Sequence, residues 1–547
     1  MITLGIHAAS RDAAAALVAD GRVIAAAEEE RFTRRPSGRL PPSARANLPH
    51  HAINFCLREA GVTLDDVDHL ACSHSPGDPA GDVPPAGTLP HRRGLLPPPW
   101  HRVDATTCHQ ASAFLAAPFE RCAVMTFGSR RGGAATGYGA YRHQHYQPLG
   151  QVGMPHSLGW LHERIAAHLG FAGAGDEDAA MMLAAQGRPR FSGRLRELIR
   201  IDGDGHYHIT GFDPAEVFGP RRLHGAPLAQ DHRDLAASLQ DVLEDCVLRL
   251  AQWLRRASGE SALALSGSLA RNAAMTARLR DLRLFDAVWV QPATGDAGSA
   301  LGAALWVDAR ERWAGSGGAA SAPGIPLAPR CWRMDHANLG PAYGDDTIEA
   351  LLGRTGLPYR RPAALADAVA RLLAGNRIVG WFQDRMEFGP RALGGRSILA
   401  SPIDPRMQAR LNVLKDREAF RPFAPALPVE DLPAWFWPER ANGGSSPFMG
   451  FTYNVQPLKD ERIPSACHVD RTARVQTVDA ATQPRFHALL KAFEGRTGVP
   501  LLLNTAFSVR GEPLVCTPHD ALEAFVRMPL DALAIGSFLL EKPPPAA

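Results

Sequence analysis

Long apolar runs are missing from this chain. No stretch of about 18 apolar residues occurs, so no membrane-spanning helix is expected. Paired cysteines are missing too. The eight cysteines stand at 56, 72, 108, 122, 246, 331, 467 and 516, and none forms a C-x-x-C pair. That spacing argues against a zinc ribbon or a disulfide framework and makes a reducing cytoplasm the expected compartment. Charge of one sign is also scarce. Fifty-nine Lys and Arg against 56 Asp and Glu leave a net charge of +3. So small a balance excludes a broad nucleic-acid or membrane surface but permits local basic clusters. The N-terminus lacks a basic start and carries Arg11 and Asp12 inside its apolar run, so it reads as a strand, not a signal peptide.

What is present is enough chain, 547 residues, for two or three α/β domains with large cores. Asp20-Gly21 between Ala14–Val18 and Val23–Ala27 is the strongest hairpin signal. Helices are expected over Ala44–Ala60, Leu158–Leu169, Leu235–Ala257 and Ala297–Val307, and buried strands over Cys122–Phe127, Ala262–Ser266 and Ala287–Gln291. Pro76–Pro99 reads as an irregular loop. Gly315–Pro329, rich in Gly, Ala, Ser and Pro, reads as an interdomain linker. The expected division is 1–314, a linker over 315–340, and 341–547, with no internal repeat.

The second half carries the chemistry. Strand Ile378–Phe382 runs into a Gly-rich loop with Arg385, Arg391, Arg396 and Ser397, followed by Lys415 and Arg421. From 385 to 421 there are eight Lys/Arg against four Asp/Glu. Arginine forks suit phosphate, and glycines let backbone N–H groups approach an anion. A solvated basic face is the alternative, but the interleaved Gly, Pro and aromatic residues speak for an anion site. His468–Gln476 reads as one strand with alternating polar residues, including Arg474. Asn504 ends a buried strand in a polar turn, a usual place for a ligand-orienting amide.

The segments EFGPRALGGRSILASP, REAFRPFAPALP, SPFMGFTYNV, HVDRTARVQTV and TGVPLLLNTAFSVRGEPLVCTP resemble the C-terminal half of the ATP-dependent O-carbamoyltransferases of natural-product and nodulation-factor biosynthesis. The resemblance implies a C-terminal α/β domain like threonylcarbamoyl-AMP synthase, which makes carbamoyl-adenylate from carbamoyl phosphate and ATP with Mg2+. It implies that Lys415, Arg421, Arg391, Arg396 and Arg474 grip the phosphates and Asn504 the carbamoyl or nucleotide end, with Arg385, Ser397 and His468 also binding the cofactors. Lys415, Arg421 and His109 would be the catalytic residues. It implies a small-molecule acceptor, and leaves open a homo-oligomer or a partner carbamoyltransferase subunit.

LGIHAASRDAAAALVADGRVIAAAEEERFTRR, HQASAF and VQPATGDAGSALGAALW resemble the family's N-terminal half. That half has an actin/sugar-kinase-like, ribonuclease-H-like nucleotide fold with a His/Asp metal site. This chain departs from the pattern. Arg11 stands for a His, Pro36 for a Lys, Ala105 for the first His of an H-x-x-x-H, Ser129-Arg130 where acidic residues follow the strand, Ala179 for a Lys and Ser268 for a Gly. In the second half Asp384, Arg471, Ala506 and Ser508 depart as well. His109 and Asp296 alone make two ligands where three or more are usual, so weak or absent Fe2+ binding is expected. Cys108, His101, Asp104 and Glu177 have no diagnostic metal spacing. An active transferase, a degenerate enzyme that only adenylates, and a non-catalytic binding protein all remain compatible with these residues.

Overall fold

The computed structural model describes residues 1–8, 12–36, 48–74, 97–128, 134–171, 176–317, 323–437 and 445–543; of Glu177 only the backbone is described. Arg11, Arg130 and most of the Pro76–Pro99 segment lie outside them. The chain forms two compact units, 1–33 with 37–334, and 34–36 with 335–547.

The first unit opens with the expected hairpin. Asp20 (φ +47°) and Gly21 (φ +78°) both take positive φ, as a two-residue turn with the strands' own twist demands. The strands lie in the order Arg22–Glu28, Ala14–Ala19, Ile2–His7, His69–His74, Trp100–Asp104, the first three antiparallel and the last two parallel to Ile2–His7. A second sheet repeats that arrangement. Arg121–Phe127, Ala134–Arg142 and His145–Gly153 form the antiparallel meander, and Ala262–Gly267 and Ala287–Val290 add in parallel on its other side. The unit is therefore an internal duplication of the ribonuclease-H-like sheet. Sequence self-similarity was not visible because topology, not residue identity, is what repeats.

The helix after the fifth strand of each sheet completes the symmetry. Ala105–Phe114 and Gly298–Gly315 pack together so closely that a Cβ on Gly302 would lie 1.8 Å from the Cys108 carbonyl oxygen. A Cβ on Gly5 would lie 2.1 Å from the Ala300 oxygen, so the second helix also rests on the first sheet. This is why Gly298–Gly315 is rich in small residues.

The expected linker is not free-standing. Gly298–Gly315 runs into it, and Ile325–Pro326 pairs with His145 and Tyr146. Arg330 then donates to the carbonyls of Phe114 and Ala117, at 3.1 and 2.7 Å. Hydrogen bonding to the first unit carries the boundary to Met334, past the 314 expected from composition.

The second unit is built on an eight-stranded mixed sheet. Its order is Tyr359–Arg360, Phe538–Glu541, Ala532–Ile535, Val379–Phe382, Arg396–Ala400, Leu502–Ala506, Ala424–Pro428, Gln476–Val478. Helices Leu365–Ala374 and Pro484–Thr497 pack against each other beside it. A small sheet of Phe436–Trp437, Thr452–Val455 and Thr472–Arg474 stands apart. The single strand expected over His468–Gln476 is broken: Thr472–Arg474 belongs to the small sheet and Gln476–Val478 to the large one. Buried Val475 is where the chain changes sheets.

Candidate functional site

In the second unit, strands Val379–Phe382 and Arg396–Ala400 are antiparallel neighbours joined by the Gly-rich loop. Glu387 organises this loop. It is 1% exposed, and its Oε1 accepts from the backbone N–H groups of Leu393 (2.7 Å), Gly395 (2.6 Å) and Arg396 (3.2 Å). Ser397 Oγ accepts from the remaining amide, Gly394, at 3.1 Å. Gly394 sits at φ +107°, and a Cβ there would lie 2.4 Å from the Phe486 ring. The backbone amides of 393–396, part of the Gly-rich loop expected to approach an anion, are thus already occupied by the protein's own oxygens. Ser397 acts here as a loop brace.

Two of the expected phosphate arginines turn inward as well. Arg396 is fully buried, stacked 3.7 Å over the Phe382 ring. Its NH1 donates to the carbonyls of Gln383 (2.7 Å), Gly395 (3.1 Å) and Asp384 (3.2 Å), and its NH2 to that of Pro341 (2.9 Å). Burial pushes its guanidinium down from the ordinary arginine range. Arg385 donates to the carbonyls of Leu339 (2.6 Å) and Gly340 (3.0 Å). For both, a fork that suits phosphate equally suits paired carbonyls, and buried carbonyls must be satisfied. Arg391 lies half-buried on the same loop.

The other cations gather after helix Met407–Leu414. Buried Asn412 shapes that turn: its Nδ2 donates to the carbonyls of Ala419 and Arg421, and its Oδ1 accepts from Arg417 Nε at 2.8 Å. Lys415 Nζ donates to Ala506 O (3.0 Å), Ser508 O (2.5 Å) and Ser508 Oγ (3.0 Å). Burial, then the charge of Arg417, pushes its ammonium down to about 7, against the pull of those three oxygens. Burial, then Arg421, pushes Arg417 down to about 9. Arg421 in turn pairs with Glu418 at 2.8 Å. Lys415 and Arg417, each lowered by burial and by the cation beside it, make with Arg421 a place where an added anion is favourable. Arg417 went unremarked in the sequence because it sits between the two residues the motif emphasises.

Asn504 is 3% exposed, at the end of strand Leu502–Ala506. Its Nδ2 donates to Gln476 Oε1 (2.8 Å) and Ala392 O (3.2 Å), while Gln476 Nε2 donates to Leu393 O (2.7 Å). Asn504 Oδ1 is buried without a hydrogen-bond partner among the described residues. His468 stands in the turn before Thr472–Arg474, its Nδ1 3.4 Å from Asp470 and its Nε2 likewise buried without a hydrogen-bond partner. Arg474 faces Thr452 in the small sheet.

In the first unit, Asp104 caps helix Ala105–Phe114 and fixes buried His109 on its second turn. His109 Nε2 lies 3.3 Å from Ser299 Oγ and 3.7 Å from Asp296 Oδ1, and its Nδ1 is buried without a hydrogen-bond partner among the described residues. The expected His109–Asp296 pair therefore does meet. Asp12 joins it electrostatically: burial, then the charges of Asp296 and Glu30, push its carboxyl up to about 7, with Arg271 opposing. No group of three or more His, Cys, Asp or Glu among the described residues can hold a metal ion. Among the described residues, His109 and Asp296 make two donors, where iron usually takes three or more. His101 instead contacts His69 at 3.0 Å, and the Cys108 thiol contacts the Val103 carbonyl. A further charged group, unforeseen from the sequence, lies nearby in this unit. Arg271 is 3.8 Å from Asp178, and burial pushes His162 down to about 4 beside them.

A family model described as carbamoyltransferase N-terminus matches residues 2–83 and 96–305, and one described as carbamoyltransferase C-terminus matches 370–542. The uncharacterized protein sll1178 of Synechocystis is 34% identical over 98% of this chain and 96% of its own length. Nodulation protein NolNO of Sinorhizobium fredii is 34% identical over 97% of this chain and 79% of its own. Nodulation protein U of Rhizobium tropici is 29% identical over 92% and 90%. Among solved structures, the activator of 2-hydroxyisocaproyl-CoA dehydratase from Clostridium difficile is alike at a TM-score of 0.33 and 11% identity, covering 59% of this chain and all of its own. That likeness is too slight to carry an argument, and the fold assignment rests on the strand order. No helix among the described residues is long and apolar enough to cross a membrane. With both family models matched in chain order over most of its length, and full-length relatives at a third identity, the chain belongs to the carbamoyltransferase family.

Proposed function

We propose that this chain uses carbamoyl phosphate and ATP, carried with Mg2+, to carbamoylate a hydroxyl or amine of a small molecule. Carbamoyl phosphate loses phosphate to water, giving carbamate. A carbamate oxygen attacks the α-phosphorus of ATP and pyrophosphate leaves. The acceptor's oxygen or nitrogen then attacks the carbamoyl carbon of the adenylate, and AMP leaves with the electron pair. The reading rests above all on the cluster of Lys415, Arg417 and Arg421, whose mutual repulsion a polyanion relieves. Both substrates are polyanions, and bringing them together requires fixed positive charge. Purified protein given both substrates should release pyrophosphate; folded protein that binds ATP yet releases none would end the proposal.

A second reading divides the labour: this chain forms the adenylate and a partner subunit completes transfer. It is favoured by the His109–Asp296 pair, which has no third metal donor among the described residues. Turnover to carbamoylated product by this protein alone, lost in His109→Ala, would exclude it.

A further inference from the structure

The anion that fills the Gly-rich loop is Glu387, and its effect does not stop at the loop. One carboxylate oxygen holds three backbone amides, at Leu393, Gly395 and Arg396. A carboxylate accepting three N–H bonds is a strong, charge-assisted clamp. Its approach requires Gly395, where a Cβ would lie 3.1 Å from both Glu387 Cδ and Oε1 and 2.9 Å from the Arg385 carbonyl oxygen. The same turn offers two carbonyls to neighbouring side chains. Leu393 O receives Gln476 Nε2, and Ala392 O receives Asn504 Nδ2. Gln476 Oε1 receives the same Asn504 nitrogen. The chain of bonds leaves no freedom in the Asn504 amide. Its nitrogen faces two acceptors, so its oxygen cannot exchange places with it. That oxygen is the acceptor the relay leaves without a hydrogen-bond partner among the described residues, in a side chain 3% exposed. A buried acceptor without a bond is costly, and a ligand N–H in its place recovers the loss.

We propose that Glu387 is a positioning residue which, through Leu393, Ala392 and Gln476, fixes Asn504 Oδ1 to accept an N–H from the substrate's carbamoyl amide. The inference rests on the functional reading above and deepens it, because it names what separates carbamoyl phosphate from other acyl phosphates. Acetyl phosphate carries a methyl where carbamoyl phosphate carries NH2, with the same phosphate. A site built to receive an N–H rejects the analogue lacking one.

The test is the ratio of Kd values for acetyl phosphate and carbamoyl phosphate, by titration calorimetry on the full chain, with ATP affinity as control. The intact protein should prefer carbamoyl phosphate by about ten-fold or more, the effect of one buried hydrogen bond. Glu387→Gln, Gln476→Leu and Asn504→Leu should each bring the ratio toward one while ATP affinity stays within about two-fold, the margin of a surface-sized perturbation. The double variant Glu387→Gln/Asn504→Leu should lose no more discrimination than either alone. Gln476→Leu leaves the clamp itself intact, so the relay is tested even where Glu387→Gln does not fold. A ratio that stays at the intact value in the folded variants, or losses that add, overturns the relay while leaving the function standing. An intact protein that binds neither acyl phosphate overturns both.

Discussion

Under the proposed function, Lys415 should give anion binding a pH dependence opposite in sign to the ligand's own titration. Phosphates gain charge as pH rises and should bind better. Lys415, pushed down to about 7 by burial and by Arg417, loses its charge over the same range. A polyanion beside it restores the ammonium toward its ordinary 10.5. Affinity through this group then falls as one plus ten to the power of pH minus 7. Between pH 7.5 and 9, beyond most of the ligand's titration, the loss is about 25-fold. At pH 8 the free lysine is about nine-tenths neutral, so each binding event takes up about 0.9 proton. Titration calorimetry with ATP or carbamoyl phosphate, in two buffers of different ionisation heat, measures both quantities. Lys415→Arg should reduce the slope, because a guanidinium starts about two units above an ammonium and keeps more of its charge over this range. Lys415→Met should weaken binding about 10- to 100-fold at pH 7, the loss of one charge-assisted bond, and also flatten the profile. A slope that persists in Lys415→Met, or wild-type binding without proton uptake at pH 8, would refute the reasoning.

Arg396→Lys should lower unfolding stability by about 3 kcal/mol or more, because one ammonium cannot serve four carbonyls and a ring face, and denaturant midpoints should show it. Gly302→Val should destabilise the first unit by about 3 kcal/mol or more, since its Cβ meets the rigid Cys108 carbonyl at 1.8 Å, and the thermal midpoint should fall accordingly. His162, lowered to about 4, binds a proton less readily folded than unfolded, so its contribution is present above pH 6.5 and is lost as pH falls toward 4. Going from pH 7 to 5 should cost about 2 kcal/mol through this group, and His162→Phe should remove that part of the pH dependence in denaturant titrations.

Much of the fold was legible because local rules and tertiary demand agree. The Asp20-Gly21 turn needs two positive φ angles, and few other residue pairs supply them. The buried strands read as continuous apolar runs because helices or loops cover both faces. The duplication in the first unit escaped because strand order is set by pairing across distance, which leaves no local trace in composition. The boundary after 314 is a similar case. Composition marks Gly, Ala, Ser and Pro around 315–329, but not that Ile325–Pro326 pairs with His145 and Tyr146 or that the Arg330 guanidinium donates to the carbonyls of Phe114 and Ala117.

At the site, residue type announced an anion, but residue type alone does not say whose anion. The Gly-rich loop has the glycines and arginines of a phosphate cradle, and the structure fills it from within with Glu387, Ser397 and backbone carbonyls. An acidic residue inside a basic, Gly-rich motif was the signal available. A carboxylate six to nine positions before the amides of Leu393, Gly395 and Arg396 can reach back to them only if the loop folds over, and two adjacent glycines permit that fold. What the loop gives up in direct phosphate contact it returns as rigidity. Arg396 and Arg385 become braces, and Gln476 and Asn504 are set by carbonyls that cannot move. The positive charge left for a ligand shifts to Lys415, Arg417 and Arg421, on a turn shaped by Asn412. Under the proposed function, separating the rigid reader from the charged clamp would let one part distinguish an amide from a methyl while the other supplies affinity for phosphate of any kind. Changes at 387, 476 and 504 should therefore alter which acyl phosphate binds, and changes at 415, 417 and 421 how tightly every phosphate binds.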